Sequence, residues 1–320
     1  MLLTSKSVKI AGVGATVPNK IVSNSEIIAG LDTTDQWIKK NLGIYERRVS
    51  SGPEESSSML GAAAALNAIK NAGISLEDVD GIIVATATPD QVAPSTACLI
   101  QNILKLSNQS FAFDVQAVCS GFIYGLTIAA GMIESTDVNN IVVVGVDRFS
   151  TITNWEHRSS AFFGDGAGAV VLQRCQDKNS EFSAIIRADG SGHEGFYVGP
   201  EDEHYTMNPG AVYEAATRVL PSVINDLLKA NNKTIQNVKY IVPHQPSIRV
   251  LNNLAETLNI PNEIVLKNMD RYANTAGASI PLLLSENVKN GKIKNGDQIL
   301  LAGVGSGWTW GAVLCKWNLQ

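Results

Sequence analysis

Short, strongly apolar segments alternate with longer helical patterns along most of the 320-residue chain. Residues 81–87 read Gly-Ile-Ile-Val-Ala-Thr-Ala and residues 141–147 read Ile-Val-Val-Val-Gly-Val-Asp, without the polar alternation of a half-exposed strand. Near-continuous apolar strands are typical of a sheet that is covered by helices on both faces. The alternation of such strands with helical patterns therefore predicts an α/β fold.

An internal repeat becomes visible when the sequence is shifted by 158 residues. The segments that then coincide are Ile83-Val84 with Ile241-Val242, and 141–146 with 299–304. Two strands that share one offset, with Gly145 falling on Gly303, predict two similar halves at 1–173 and 174–320. Such halves can pack face to face and form one site at their junction. Chance similarity between apolar strands is the alternative.

Composition and charge exclude several classes of protein. Hydrophobic residues make up 45% of the chain, which is ample for a large core and too apolar for a disordered protein. The net charge is −5, so a general nucleic-acid binder with a basic stripe is not expected. The first residues contain no long apolar segment of the kind found in secretory signals, which predicts a cytosolic protein.

One uncharged stretch, residues 115–133, has the length of a membrane span. It is rich in small and polar residues, including Gln116, Gly121 and Gly125, which favours a buried helix with close neighbours. No membrane association is therefore predicted. The chain has no CxxC pair, so neither structural zinc nor a thioredoxin-type motif is expected. His193 and His204 lie among acidic residues and are interpreted as solvated loop residues rather than metal ligands.

Cys119 is the first candidate for chemistry. It follows the predicted strand 111–115 and a short turn, and it opens a predicted helix over 120–133. The positive end of a helix and its free N–H groups stabilise a thiolate, which predicts a lowered pKa for this thiol. A small core cysteine is the alternative, and that interpretation is preferred for the other three cysteines.

His244 and Asn274 are the candidates in the second half. His244 ends the predicted strand 238–243, at the carboxyl edge where α/β sheets form their sites. Asn274 lies 155 residues after Cys119, so it would occupy almost the same place in its half as Cys119 in the first. A turn asparagine is the alternative. The run Gly303-Val-Gly-Ser-Gly307 ends a strand and could direct N–H groups at an oxyanion.

Several segments, taken together and in order, resemble β-ketoacyl-acyl carrier protein synthase III. These are Thr34-Asp-Gln-Trp37-Ile, Gly43-Ile-Tyr-Glu-Arg-Arg48, Asp114-Val-Gln-Ala-Val-Cys119-Ser-Gly-Phe, Phe163-Gly-Asp-Gly-Ala-Gly168-Ala, Val242-Pro-His244-Gln, Tyr272-Ala-Asn274-Thr and Gly307-Trp-Thr-Trp-Gly311. The resemblance covers essentially the whole chain. It implies the thiolase-like fold, with two pseudo-equivalent halves in five αβαβα layers, and a homodimer.

The resemblance also implies a reaction. Cys119 would accept an acyl primer from acyl-CoA or another acyl thioester, with the N–H groups of Cys119 and Gly307 as the oxyanion hole. Malonyl-acyl carrier protein would then lose CO₂, and His244 and Asn274 would bind the resulting enolate oxygen. The product is a β-ketoacyl thioester that starts fatty acids or serves a related specialised pathway. The family uses no metal, nicotinamide or flavin for this reaction.

The resemblance assigns further contacts, some of which depart from the family pattern. Trp37 would hold the CoA adenine, but His157 stands at the family's arginine position with Arg158 beside it, and Asn41 replaces a second arginine. Arg249 would dock the carrier protein. Glu214 and Glu256 stand where lysines are common, which weakens attraction for an acidic carrier.

The implied primer pocket contains Ala93, Phe163 and Met207. Ala93 occupies a position where the family often has a phenylalanine that limits the pocket across the dimer. Loss of a benzyl group opens on the order of 100 Å³, which predicts a primer longer or bulkier than acetyl. Two alternatives to the condensing reaction stay open. One is an acyltransferase that moves the acyl group to another nucleophile without decarboxylation, and the other is a catalytically silent partner subunit.

Overall fold

The computed structural model describes residues 1–177 and 180–318. The strands within these residues are β1 (Leu2–Ser5), β2 (Val8–Thr16), β3 (Lys20–Ser23), β4 (Glu46–Val49), β5 (Gly81–Ala85), β6 (Phe111–Val115), β7 (Asn140–Arg148), β8 (Asp165–Arg174), β9 (Phe182–Gly192), β10 (Phe196–Tyr197), β11 (Thr206–Met207), β12 (Tyr240–Pro243), β13 (Gln298–Gly305) and β14 (Gly307–Lys316). The helices are α1 (Asn24–Ile27), α2 (Asp35–Asn41), α3 (Ser57–Ala72), α4 (Thr96–Leu104), α5 (Gly121–Ser135), α6 (Pro209–Ala230), α7 (Ile248–Thr257), α8 (Met269–Tyr272) and α9 (Ser279–Lys289).

Two five-stranded mixed sheets form the frame of the molecule. The strand order is β2-β8-β7-β5-β6 in the first sheet and β1-β9-β14-β13-β12 in the second. In the first sheet, β7 pairs parallel with β5 and antiparallel with β8. In the second, β13 pairs parallel with β12 and antiparallel with β14. The central strands β7 and β13 therefore pair with their neighbours in the same way, parallel on one side and antiparallel on the other.

The helices complete five layers. Apolar side chains of α3 and α4 cover the outer face of the first sheet, and those of α6 and α7 cover the outer face of the second. Helices α5 and α9 lie between the sheets, where residues such as Phe122 and Leu283 are fully buried against strands of both. The predicted αβαβα thiolase-like architecture is therefore confirmed.

The apolar stretch that matched a membrane span lies in the middle layer. By length and composition, Val118–Ser135 is the one segment of the described chain that could cross a membrane. Its apolar side chains are enclosed between the two sheets, which explains why the segment has almost no polar surface. This placement agrees with the expected buried helix.

The internal repeat corresponds to matching elements. Strands β5 and β7 correspond to β12 and β13, while α5 and α9 begin at Gly121 and Ser279, again 158 residues apart. One strand departs from a simple division of the chain, because β1 pairs with β9 in the second sheet. The sequence patterns also missed β9, whose second part carries Arg, Asp, Gly and Ser rather than apolar residues. A boundary between residues 173 and 174 stays a prediction.

Candidate active site

Cys119 lies in a tight 3-10 turn, Val118–Ser120, between the end of β6 and the start of α5. The turn is pressed against the end of β13 from the other half of the molecule. A Cβ atom placed on Gly305 would lie 2.5 Å from the Ala117 carbonyl oxygen, so only glycine permits this approach. The hydroxyls of Ser120 and Thr309 lie 2.8 Å apart and join the same turn to β14. Both sheets therefore fix the position of the thiol.

Cys119 is buried, with 9% of the residue exposed. Burial raises the pKa of its thiol above the ordinary value, the negative charge of Asp147 raises it further, and a backbone hydrogen bond opposes both effects. This direction is opposite to the lowered pKa expected from the helix terminus, because burial removes the hydration that a thiolate needs. The resting group is therefore a thiol rather than a thiolate.

His244 is the residue that follows β12, and its backbone N–H donates to the Ala302 carbonyl at 2.8 Å. Its Nε2 lies 3.1 Å from Oδ1 of Asn274, while its buried Nδ1 has no hydrogen-bond partner within residues 1–177 and 180–318. Burial lowers the pKa of His244 to about 4, although the hydrogen bond with Asn274 acts in the opposite direction. The imidazole is therefore neutral at neutral pH.

Asn274 is held in place by hydrogen bonds with nearby backbone groups. Its Oδ1 accepts the Ala276 N–H at 2.9 Å, and only the amide oxygen can accept such a bond. Because the same oxygen faces Nε2 of His244, that nitrogen carries the imidazole hydrogen. The carboxamide nitrogen of Asn274 is then left to donate toward the cavity. The backbone of Asn274 also donates to the Phe162 carbonyl at 3.1 Å, which ties it to the strand-like segment before β8.

The match between Cys119 and Asn274 in the repeat is less direct than expected. The counterpart of the nucleophile turn, Val118–Ser120, is the 3-10 turn Ala276–Ala278. By the offset of 158, Cys119 falls on Gly277, and Asn274 stands three residues earlier in the chain. The two side chains nevertheless face the same space.

That space is one cavity of about 310 Å³ between the two halves. Cys119, His244 and Asn274 all line it, together with Phe163 and Met207. Gly307 lies between two further lining residues, Ser306 and Trp308. The structure thus brings together the thiol, the imidazole and the carboxamide that were predicted from separate parts of the sequence.

The residues assigned to CoA separate into two groups. The Arg158 guanidinium lies 4.8 Å from the centroid of the Trp37 ring, and Trp37 lines the cavity entrance. His157 instead accepts the Ser159 N–H through Nδ1 at 3.2 Å, so its ring caps the 3-10 turn Arg158–Ala161. Asn41 also lines the cavity, but its side chain donates to the Trp37 carbonyl of its own helix at 2.9 Å.

The remaining predicted contacts lie at or beyond the entrance. Arg249 is exposed on α7, lines the cavity and stacks over the Tyr213 ring at 5.1 Å. Glu214 and Glu256 are exposed on α6 and α7. Ala93 is exposed in the loop before α4 and does not line the cavity of its own chain.

Sequence reasoning named only Phe163 from an aromatic wall beside Cys119 and missed its other three rings. Phe149, Phe163, Phe196 and Tyr205 pack into one cluster with the thiol, and the Phe149 and Phe163 rings stack with centroids 4.4 Å apart. Phe163 and Phe196 form part of the cavity surface. These rings come from distant loops and strand ends without a shared periodicity, so only the tertiary structure assembles them.

Metal ligation has no support in the described part of the chain. No group of three or more His, Cys, Asp and Glu side chains there could hold an ion. His193 is exposed in the 3-10 turn His193–Gly195, and His204 is half-buried.

A five-layered fold with Cys, His and Asn side chains converging at the junction of two similar halves defines a thiolase-like enzyme. The models of 3-oxoacyl-[acyl-carrier-protein] synthase III and of its C-terminal part match residues 113–190 and 228–317. The chain is 40% identical to beta-ketoacyl-[acyl-carrier-protein] synthase III of Aquifex aeolicus, covering 97% of this chain and 99% of that protein. It is 39% identical to synthase III 1 of Bacillus anthracis, covering 98% and 99%.

Solved structures agree with these matches. The crystal structure of the Aquifex aeolicus enzyme superimposes with a TM-score of 0.93, covering 97% of this chain and 100% of that one. The synthase III of Thermus thermophilus superimposes with a TM-score of 0.92 at 36% identity, covering 97% and 99%. The chain therefore belongs to the β-ketoacyl-[acyl-carrier-protein] synthase III family, which confirms the resemblance seen in its sequence.

Proposed function

We propose that this enzyme condenses an acyl primer with malonyl-acyl carrier protein through an acyl-Cys119 intermediate. The product is a β-ketoacyl thioester for fatty-acid initiation or a related pathway, and the cytosol is the proposed location. The observation that carries the proposal is the convergence of Cys119, His244 and Asn274 in one cavity, with His244 3.1 Å from Asn274. The neutral His244 matches the need for a hydrogen-bond donor that does not protonate its substrate.

In the first half-reaction, the Cys119 sulfur attacks the thioester carbonyl of the primer. The carbonyl oxygen becomes negative and would be bound by the N–H groups of Cys119 and Gly307. Because the resting group is a thiol, its proton can leave with CoA as the departing thiol. Trp37 and Arg158 at the entrance would hold the adenine ring, since a planar cation and an indole both stack on aromatic faces.

In the second half-reaction, the malonyl group loses CO₂ and leaves an enolate. Its oxygen would accept hydrogen bonds from Nε2–H of His244 and from the carboxamide nitrogen of Asn274. The enolate carbon attacks the acyl-Cys119 carbonyl, and the cysteine sulfur leaves as a thiolate that takes a proton from solvent. Each hydrogen bond to the enolate oxygen contributes about 3 kcal/mol to lowering the barrier.

The proposed partners are acyl-CoA, an acyl carrier protein and a second copy of the chain. Arg249 at the entrance would contact the carrier protein, while the nearby Glu214 and Glu256 weaken the attraction. A homodimer is favoured by β6, which ends the first sheet as a half-exposed edge strand that carries two phenylalanines. In that dimer, Ala93 would affect the size of primer that fits the cavity of the partner subunit, not the cavity of its own chain.

Two assays test the proposal. Intact mass after incubation with a panel of acyl-CoA primers should show one added acyl group, which Cys119→Ala abolishes. Release of CO₂ from carboxyl-labelled malonyl-acyl carrier protein should fall by a factor of about 100 to 1,000 in His244→Ala or Asn274→Ala, while both variants still accept the primer. His193→Ala, at an exposed histidine, is the matched control and should behave like the wild type.

The same assays separate the alternatives. Acylation of Cys119 without CO₂ release from any malonyl donor would favour an acyltransferase that uses another nucleophile. Absence of acylation with every primer would contradict the proposal and favour a silent subunit.

A further inference from the structure

Asp147, at the end of β7, is a buried carboxylate that the proposed steps do not use. It has no solvent exposure, and within residues 1–177 and 180–318 no Lys or Arg forms an ion pair with it. Neutral donors surround it instead. Its Oδ1 accepts the Ala87 N–H at 2.7 Å and the hydroxyls of Thr88 and Thr86 at 3.0 and 3.3 Å. Burying a carboxylate among neutral donors costs free energy, which the hydrogen bonds that it accepts must offset.

The second oxygen of this carboxylate reaches across to the other half of the molecule. Oδ2 of Asp147 accepts the Gly277 N–H at 2.8 Å. A Cβ atom on Gly277 would lie 2.9 Å from the same oxygen, so the approach depends on glycine. One side chain therefore joins the loop after β5, the end of β7 and the 3-10 turn Ala276–Ala278.

That turn holds the amide of Asn274. Ala276 has a left-handed φ of 46°, an uncommon conformation for alanine that the surroundings must stabilise. Its N–H binds Oδ1 of Asn274, and the same oxygen faces Nε2 of His244. A shift of the turn would therefore move the amide and change the direction in which both side chains donate.

The same carboxylate is unfavourable for the nucleophile, since its negative charge raises the pKa of the Cys119 thiol. Removing it would make the thiol more reactive. The hydrogen bond from Gly277 to Asp147 therefore supports the turn that holds the Asn274 amide, and not the reactivity of the thiol.

We infer that Asp147 is a positioning residue that fixes the Asn274–His244 pair for decarboxylation, acting across the two halves through the turn Ala276–Ala278. This inference rests on the proposed function. It predicts that loss of the carboxylate affects the two half-reactions in different ways, which a purely structural role would not do.

The test compares Asp147→Asn with the wild type. The asparagine keeps the shape but replaces one accepting oxygen by an NH₂ group, so it cannot accept from both Ala87 and Gly277. Release of CO₂ from labelled malonyl-acyl carrier protein should fall by about tenfold or more in kcat, with KM changed little, because misplacement of a reacting pair is costly. Acylation of Cys119 by acyl-CoA should not fall by more than about threefold, since none of the four hydrogen bonds that Asp147 accepts comes from the turn Val118–Ser120.

A second readout tests the effect of the Asp147 charge on the reactivity of the Cys119 thiol. Alkylation of Cys119 by iodoacetamide at one fixed pH, measured on its peptide by mass spectrometry, should be faster in Asp147→Asn than in the wild type. Among the charged groups described near the thiol, Asp147 is the one that raises its pKa, and His244 is neutral in this range.

Asp165→Asn is the matched control. Asp165 is equally buried and accepts four bonds from the backbone and hydroxyls of Ser50 and Ser150, but it makes no bond to the turn Ala276–Ala278. This variant should lose stability while keeping the ratio of the two half-reactions and the alkylation rate of the wild type. If Asp147→Asn is insoluble, Thr88→Val, which removes one donor to the carboxylate, should lower CO₂ release in the same direction.

Unchanged CO₂ release in Asp147→Asn would overturn the inference. It would also be overturned if Asp147→Asn, like Asp165→Asn, lost both half-reactions to the same extent. A wild-type enzyme that accepts the primer but releases no CO₂ would overturn the proposed function, and the role of Asp147 with it. The wild-type and variant assays therefore distinguish the two failures.

Discussion

Val118 and Ala276, which lie 158 residues apart, adopt nearly the same left-handed backbone, with φ of 45° and 46°. Each is the first residue of a 3-10 turn that leads into a middle-layer helix. The end of the central strand from the opposite half packs against each turn, β13 against Val118–Ser120 and β7 against Ala276–Ala278. The two halves therefore complete each other's turns, and neither half alone would hold a formed site.

Gly305→Ala should damage the nucleophile turn. The added Cβ would lie 2.5 Å from the Ala117 carbonyl oxygen and 3.0 Å from the Ser120 nitrogen, both of which are backbone atoms that cannot move aside cheaply. We expect a loss of about 2 kcal/mol or more in the free energy of unfolding and a large drop in Cys119 acylation. Urea denaturation and intact mass after acyl-CoA treatment measure the two effects.

Gly166→Ala is the matched control for that change. Gly166 is also buried in a strand, but the nearest neighbour of an added Cβ lies at 3.5 Å, an ordinary contact. This variant should acylate like the wild type. Equal damage in both variants would show that the close approach at Gly305 is not the cause.

Acid should weaken the folded enzyme through His244. Its pKa is about 4 in the folded protein against an ordinary value of 6.5, because burial disfavours the cation. Between these values the unfolded chain binds the proton and the folded protein does not. This contribution to stability is therefore full above pH 6.5 and is lost as the pH falls toward 4.

A His244→Gln variant lacks that titration. The free energy of unfolding of the wild type minus that of the variant should decrease as the pH is lowered from 7.5 to 5, as measured by urea denaturation at each pH. His193→Gln, at an exposed site, should keep the wild-type pH dependence. Parallel pH curves for wild type and His244→Gln would contradict the depressed pKa.

Arg158→Ala should weaken acyl-CoA binding, whereas His157→Ala should not. The Arg158 guanidinium stacks on Trp37 at the entrance, while the His157 ring points back to cap its own turn. Loss of one stacked cation should raise KM for acyl-CoA by about three- to tenfold with little change in kcat. Steady-state kinetics with acetyl-CoA and with acetyl-pantetheine, which lacks adenine, check this, because the shorter donor should not distinguish the variants.

Ala93→Phe should narrow the range of primers. A benzyl group on this exposed loop would fill about 100 Å³ of the partner's cavity in a dimer. Acylation by branched or longer acyl-CoA should fall by at least tenfold relative to acetyl-CoA, as read from the intact-mass ladder. The neighbouring Val92→Phe, at a fully exposed side chain, is the control. A strict acetyl preference in the wild type would contradict the predicted primer size.

Much of the frame could be predicted from local patterns. The buried strands β5, β7 and β13 are nearly continuous apolar runs, since burial on both faces leaves a clear pattern. Helix α5 begins and ends within two residues of the predicted range 120–133. The repeat predicted two similar halves because strands at equivalent buried positions carry similar apolar patterns. Strand β9 was missed because its exposed part carries no such pattern.

The sequence by itself determined which groups are candidates for the chemistry, because the strand ends and turns that carry Cys119, His244 and Asn274 are marked by local motifs. The tertiary structure decided how those groups behave. Enclosure between the two halves raises the pKa of Cys119 and lowers that of His244, against the direction that the helix terminus predicted for the thiol. The fold decides how well the Cys119 and His244 side chains are hydrated and whether a charge such as that of Asp147 lies near them. Residues distant in the chain supply this packing.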